Sequence, residues 1–455
     1  MVNYTRKKGG KYIAQGTYGC VFGKPPLKCI DEKERSSEDE VSKLMDNYAA
    51  KDEMKEGEKW NAIDPTQQFS LTSSKKCEID VGNIKAENNV KKCSVDYGDE
   101  MKDRVLVFYK NGGPDLHKLR PLSANYEKIF SGFQNLFDGL AIAHKNNLVH
   151  TDIKPPNILT GNEDIHLRFI DFGLSFDVSD IQYIDEMYTE NPTFYPYWPF
   201  DIGSFISSGD LKMKWKLKHR YHIFNKKYSA DHIGVGISSF NIPFDTLYNI
   251  YKEVDFKDLK TIFKKLDVFS MGVTLIEIMR QYFSHCPFQL ADGSYYLVYL
   301  NGRTGYFSRF TTLKDKKWLS DKQHDYQIYL YENVTTPLMN FISHCIDYNV
   351  NTRYTAEEAA NEYRKLLPIF KTHLKQDELR KGLAGLDILN EANDLPLILT
   401  PVKSSAKKNS PVKSNHKNNS VKKYSAKSNH KNNSSKKKTH GMVLRSKRKV
   451  KQFIN

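Results

Sequence analysis

His150-Thr151-Asp152-Ile153-Lys154-Pro155-Pro156-Asn157, with Asp171-Phe172-Gly173 a short way downstream, decides the reading of this chain. The two stretches bring two acids, a lysine and an amide close together in sequence. Moving a phosphoryl group onto a hydroxyl calls for each of these groups. A carboxylate must orient the hydroxyl and accept its proton, a role open to Asp152. Metal ions on the leaving nucleotide need hard oxygen ligands, which Asn157 and Asp171 can supply. Charge on the transferring group needs a cation, and Lys154 stands two residues after Asp152.

The pattern H-x-D-x-K-x-x-N followed by D-F-G resembles the signature of the eukaryotic-type protein kinase superfamily, with Thr151 where arginine is usual. Other motifs follow in that family's order. Ala14-Gln15-Gly16-Thr17-Tyr18-Gly19-Cys20-Val21 reads as a strand, a glycine turn and a returning strand. It fits the glycine-rich loop G-x-G-x-x-G-x-V, except that Ala14 stands at the first glycine. The lysine expected on the next strand is Lys43 in Val41-Ser42-Lys43-Leu44-Met45, with Lys28 as the alternative. A helix over about 49–63 should offer that lysine a glutamate, assigned to Glu56, with Glu53 as the alternative. The run from Val105 to Gly113 reads as a buried strand entering a flexible connector. The resemblance implies that Val107 backs an adenine pocket and that Phe108, Tyr109 and Lys110 form the hinge.

Downstream, Leu266-Asp267-Val268-Phe269-Ser270-Met271-Gly272-Val273 is similar to the family's D-V-W-S-x-G helix, with Phe269 in place of Trp. Asp267 is therefore expected to hold the backbone of the catalytic loop. The segment from Asp347 to Glu358 resembles D-x-x-x-R-x-T-x-x-E, whose arginine, here Arg353, pairs with the acid of A-P-E. Trp198-Pro199-Phe200-Asp201 stands nearest to A-P-E, with Asp201 as the acid.

The resemblance covers roughly residues 10–370 and implies an α+β, bilobal protein-kinase-like fold. Its expected parts are a small β-rich lobe (about 10–109), a helical lobe (about 114–370) carrying an insertion (about 202–264), and a C-terminal extension (371–400). ATP with Mg²⁺ would lie between the lobes, against Ala14, Gly16, Thr17, Tyr18, Gly19, Val21, Lys43, Glu56, Val107 and the hinge. Asp152 and Lys154 would be catalytic, and Asn157 and Asp171 would hold the metal. His150, Phe172, Gly173, Asp201, Asp267 and Arg353 would support them. Lys154 fits the serine/threonine class. Without the arginine, position 151 cannot clamp a phosphate on activation-segment residues such as Tyr188 or Thr193, which implies activity without that phosphorylation. Gly16 to Phe22, the V-S-K-L segment and Y-W-P in place of A-P-E resemble divergent kinases of large nucleocytoplasmic DNA viruses. The rival readings are a pseudokinase-like scaffold and a small-molecule or lipid kinase.

Charge is unevenly placed. The 455 residues carry a net charge of +15, yet residues 401–455 hold 17 Lys and Arg and no acid, so the rest is close to neutral. This tail is rich in Ser, Asn and Lys, repeats the octapeptide of 413–420 at 427–434, and is expected to be disordered. A nucleic acid or an acidic partner is its expected ligand, and protein substrates are expected at the catalytic loop. Lys212 to Lys218 alternates lysine with Met213, Trp215 and Leu217, as a lysine-protected edge strand or an acidic-partner surface would. No secretory or membrane-spanning run is visible, since the longest apolar stretch, 268–279, is too short. Six cysteines without a C-x-x-C pair favour reduced thiols and a soluble, intracellular protein, in host cytoplasm or nucleus or in a virion.

Overall fold

Short runs of five to seven residues, among them the alternating Lys11–Gln15 and Ser73–Glu78 and the apolar-centred Arg104–Lys110, build the first part of the chain. In the computed structural model, which describes residues 10–16, 19–30, 39–79, 89–93, 103–118, 126–162, 164–180, 197–199, 244–253, 258–282, 287–289, 295–301, 304–310 and 329–374, these runs are strands. They are β1 (Lys11–Gln15), β2 (Gly19–Gly23), β3 (Glu40–Asp46), β4 (Ser73–Glu78) and β5 (Arg104–Lys110), in one antiparallel sheet of order β1-β2-β3-β5-β4.

Helix α1 (Asn47–Ile63) starts directly at the end of β3, where Asp46 Oδ1 accepts the Tyr48 and Ala49 amides at 2.9 and 3.3 Å. Its buried stripe is Ala50, Glu53, Gly57 and Trp60, the spacing that a helix gives one face. One face of the sheet carries Met45, Val105 and Val107 against Ala50. The opposite face carries Cys20, Phe22, Leu44, Leu106 and Phe108 under the excursions that bear Leu27, Cys29, Ile79 and Val90.

Two disulfides pin those excursions down. Cys20 is bonded to Cys93 and Cys29 to Cys77, with Cα atoms 5.9 and 5.7 Å apart. This corrects the expectation of reduced thiols and removes the cysteine argument for a reducing compartment. The partners lie 73 and 48 residues apart, so the sheet brings them together and no local spacing announces them. Cys345 is the free cysteine among the described residues.

The helical part is built on α2 (Tyr126–Lys145), which buries Ile129, Phe130, Phe133, Leu136, Phe137, Leu140 and Ala143. Each large side chain on this stripe contributes about 1.5–3 kcal/mol by leaving water. Helices α3 (Phe244–Lys252) and α4 (Leu259–Tyr282) follow. Then come α5 (Thr336–Cys345), α6 (Ala356–Arg364) and α7 (Leu367–His373). The Tyr363 hydroxyl of α6 donates to the Phe130 carbonyl at 2.7 Å, and its ring packs 5.0 Å from that of Phe137. Thr355 and Glu358 form a capping box on α6, so the T-x-x-E pair of the sequence motif starts a helix. Among the described residues, no helix is long and apolar enough to cross a membrane.

Four two-residue strands position the site. β6 (Leu148–Val149) pairs with β9 (Phe176–Asp177), and β7 (Ile158–Leu159) pairs with β8 (Arg168–Phe169). Residues 150–157 run between β6 and β7, and 171–173 between β8 and β9. The two ribbons therefore hold both loops side by side, and the Ile170 amide adds a bond to the Asn157 carbonyl at 3.0 Å.

A further antiparallel sheet, β10 (Pro287–Gln289), β11 (Tyr295–Asn301) and β12 (Thr304–Phe310), was not expected. The Asn301-Gly302 pair between aromatic and β-branched runs was the available signal. Thr17, Tyr18, Tyr188, Thr193, Asp201, the 212–218 alternation and the 401–455 tail lie outside the described residues. Of the 202–264 insertion, only the C-terminal portion from Phe244 lies largely within them, and it is helical.

Candidate active site

The row of residues crossing the sheet brings the first group into place. Ala14 pairs with Val21, Val21 with Lys43, and Lys43 with Val107. Residues paired directly across antiparallel strands project to the same face, so these four share one face. Gly19 is required by packing, because a Cβ there would fall on the Leu44 carbonyl of β3. A Cβ on Gly16, whose amide bonds to the Gly19 carbonyl at 2.8 Å, would meet that carbonyl oxygen at 3.8 Å, an ordinary contact.

Lys43 is the lysine that reaches the acids. Its Nζ lies 2.9 and 2.7 Å from the two Glu53 oxygens and 3.4 Å from Asp171 Oδ1. Lys28 lies in the connection between β2 and β3, flanked by buried Leu27 and the disulfide-bonded Cys29. The assignment of Glu56 is corrected to Glu53. Glu56 lies off the stripe that docks on the sheet and pairs with Lys59 at 2.8 Å, within its own helix. Burial works against the Lys43 ammonium, but the Asp171 and Glu53 carboxylates outweigh it and hold its pKa above the ordinary value. Burial likewise opposes the Asp171 carboxylate, while Lys43, Lys154 and His150 draw its pKa below the ordinary range.

The hinge expectation is also corrected. Phe108, Tyr109 and Lys110 still belong to β5, and the chain leaves the sheet only at Asn111. Phe108 points into the outer core with Lys75 4.4 Å above its ring. Tyr109 points the other way, and its hydroxyl donates to Glu53 Oε1. Strand alternation sends the two aromatic side chains to opposite faces.

The second group sits on the ribbon-held loops. Lys154 Nζ is 3.0 Å from Asp152 Oδ2. The Asn157 amide nitrogen donates to Asp152 Oδ2 at 2.7 Å and to the Asp152 carbonyl at 2.9 Å. That engagement turns the amide's carbonyl oxygen into its ligating atom. Asn157 and Asp171 together form an oxygen donor pair of the kind a hard divalent cation takes, so the residues fit a metal held on a nucleotide.

Asp267, fully buried on α4, accepts the backbone amides of His150 and Thr151, both at 2.7 Å, and contacts His144 at 3.2 Å. His150 Nδ1 accepts the Asp152 amide at 3.3 Å, and its Nε2 faces the Ile170 carbonyl at 3.2 Å. Phe172 packs under Trp60 of α1, with ring centroids 4.8 Å apart. Gly173, next to it, closes the turn at 172–174. The Trp60 indole donates to Ser175 Oγ at 2.6 Å, and Ser175 donates to the Val149 carbonyl at 2.6 Å. These two bonds join α1 to both loops, and no sequence motif marked them.

Thr151 adopts φ +60°, an uncommon conformation for a β-branched residue. Its hydroxyl donates to the Leu174 carbonyl at 2.8 Å, and its own carbonyl accepts the Trp198 indole at 2.7 Å. Tyr197 donates to the Glu277 carboxylate at 2.9 Å, and Ser270 donates to the Tyr197 carbonyl at 2.8 Å. Arg353 is buried; its Nε donates to the Asp347 carbonyl at 2.7 Å, and its guanidinium lies 5.2 Å from the Phe269 ring centre.

A sheet bearing a lysine–glutamate pair stands with loops bearing H-x-D-x-K-x-x-N and D-F-G, the combination that the resemblance to the protein kinase class implies. Comparison with known proteins agrees: residues 87–193 match the protein kinase domain family. The chain is 36% identical over 98 residues to the mitogen-activated protein kinase HOG1B of Wallemia ichthyophaga, covering 20% of this chain and 26% of that protein. It is 35% identical over 92 residues to the mitogen-activated protein kinase sty1 of Schizosaccharomyces pombe, covering 19% and 25%. It is 36% identical over 92 residues to the mitogen-activated protein kinase hog1 of Botryotinia fuckeliana, again 19% and 25%. The chain thus spans about a quarter of the length of these relatives. Together the matches support the eukaryotic-type protein kinase superfamily.

Proposed function

We propose that this chain is an ATP-dependent serine/threonine protein kinase of bilobal form, resembling the divergent kinases of large nucleocytoplasmic DNA viruses. The observation that carries the reading is the convergence of Lys43, Glu53, Asp152, Lys154, Asn157 and Asp171 from four places in the chain. Lys43 grips the nucleotide phosphates and Glu53 fixes its position. Asp152 orients the substrate hydroxyl and accepts its proton as oxygen–phosphorus bonding develops and the bond to ADP breaks. Lys154 lies beside Asp152 and neutralises charge on the group in transit. Asn157 and Asp171 would hold Mg²⁺, which would supply charge shielding of the phosphate oxygens.

Thr151 and Trp198 support activity without activation-segment phosphorylation. They tie the segment to the catalytic loop through neutral hydrogen bonds, where a phosphate clamp would need an arginine.

A phosphoryl-transfer assay from ATP to a mixed protein substrate tests the reading. Asp152→Asn and Asp171→Asn should each lower kcat by about 10²–10⁴-fold. Phosphoamino-acid analysis of the product should return phosphoserine and phosphothreonine. Undiminished transfer by either variant would rule out the assigned roles.

A further inference from the structure

We propose that Tyr109 is a positioning residue for the nucleotide lysine, its hydroxyl fixing the Glu53 carboxylate that holds Lys43. The proposal rests on the reading of Lys43 as the phosphate grip.

Tyr109 pairs with Val41 on one side and Ser73 on the other, so the strand that carries it is bonded along both edges. Its side chain leaves the sheet on the Val107 face, the face that α1 crosses. There the hydroxyl meets Glu53 Oε1, while Lys43 takes both oxygens of the same carboxylate. Tyr109 and Lys43 thus grip one group from two strands.

The physical need for a second donor lies in flexibility. Lys43 carries its ammonium on a four-carbon stem, and Glu53 carries its carboxylate on a two-carbon one. A bond between two such side chains sets their separation but leaves the pair free to swing together. Asp171, 3.4 Å from the ammonium, pulls it toward the D-F-G loop. A tyrosine ring has only two rotatable bonds and loses little freedom on ordering, so it fastens Glu53 to the sheet. Burial and the Glu53 charge hold the phenol well above its ordinary pKa, so the hydroxyl stays a donor throughout the physiological range. Phe108, the neighbouring aromatic, points into the outer core and cannot substitute.

Tyr109→Phe keeps the ring and removes the bond. ATP binding measured by titration calorimetry should weaken about tenfold, the loss expected for one hydrogen bond to a charged group. In transfer assays KM for ATP should rise in parallel, with kcat changed far less. In a Glu53→Ala background the same substitution should have no further effect, because the two side chains act as one unit. A role in packing alone would lower the unfolding midpoint and leave the ATP affinity of the folded protein unchanged. Unchanged affinity in Tyr109→Phe, or losses that simply add in the double variant, would overturn the proposal. Lys43→Met separates the two levels. If it abolishes ATP binding while Tyr109→Phe does not weaken it, the Tyr109 role alone fails. If it leaves binding intact, the reading of the site fails and the proposal with it.

Discussion

At the scale of single residues, Thr151 shows how one substitution can be absorbed. A β-branched residue at φ +60° costs about 1–3 kcal/mol and persists only where its surroundings over-determine it. Here the amide bonds to Asp267, the hydroxyl to Leu174 and the carbonyl to Trp198. None of these three partners is a phosphate, so nothing in the arrangement waits for a modification. Exhaustive phosphatase treatment should therefore leave kcat/KM for protein substrate within about twofold, and a fall of tenfold or more would show that a phosphate is needed after all. Residues of this scale were the most legible in the sequence. Asp152, Lys154, Asn157 and Asp171 are dictated by chemistry at fixed spacing, and the structure brings them together. Thr151 showed there only as a missing arginine, because its bonding depends on a tryptophan 47 residues away.

At the scale of elements, α1 acts as the joint between sheet and loops. Its rotation was the point the sequence left open. Glu53 and Glu56 are both acidic positions on a charged helix, and only docking decides that the stripe runs through Ala50, Glu53, Gly57 and Trp60. The same limit explains the hinge. β5 continues to Lys110 because its partners β3 and β4 extend far enough to pair with it, which is a property of the sheet and not of the strand. Trp60 is the anchor of the joint, through its contact with Phe172 and its bond to Ser175. Trp60→Phe should cost about 1–3 kcal/mol in urea unfolding, from the lost hydrogen bond and the volume left behind. A change below about 0.5 kcal/mol would mean that α1 is not held by this contact.

At the scale of the whole molecule, charge is unevenly distributed along the chain. The 17 cationic residues of 401–455 supply more than the entire net charge of +15. Removing them should abolish retention on a heparin or DNA column and its steep salt dependence, while KM for ATP stays within about twofold. Retention that survives the deletion would place the anion-binding surface elsewhere. The cysteine bonds show the opposite limit of sequence reading, since contacts across 48 and 73 residues leave no local trace.

The two short ribbons carry a consequence of another kind. They bring Asp152, Lys154, Asn157 and Asp171 together within residues 148–177 through pairings local in sequence, while Asp267 of α4 holds the loop backbone from outside. An insertion or deletion within 150–157 would change the spacing of Asp152, Lys154 and Asn157. In the sheet, by contrast, an excursion can lengthen or acquire a disulfide and the register of Lys43 survives. The match to the protein kinase domain family, over residues 87–193, encloses this stretch.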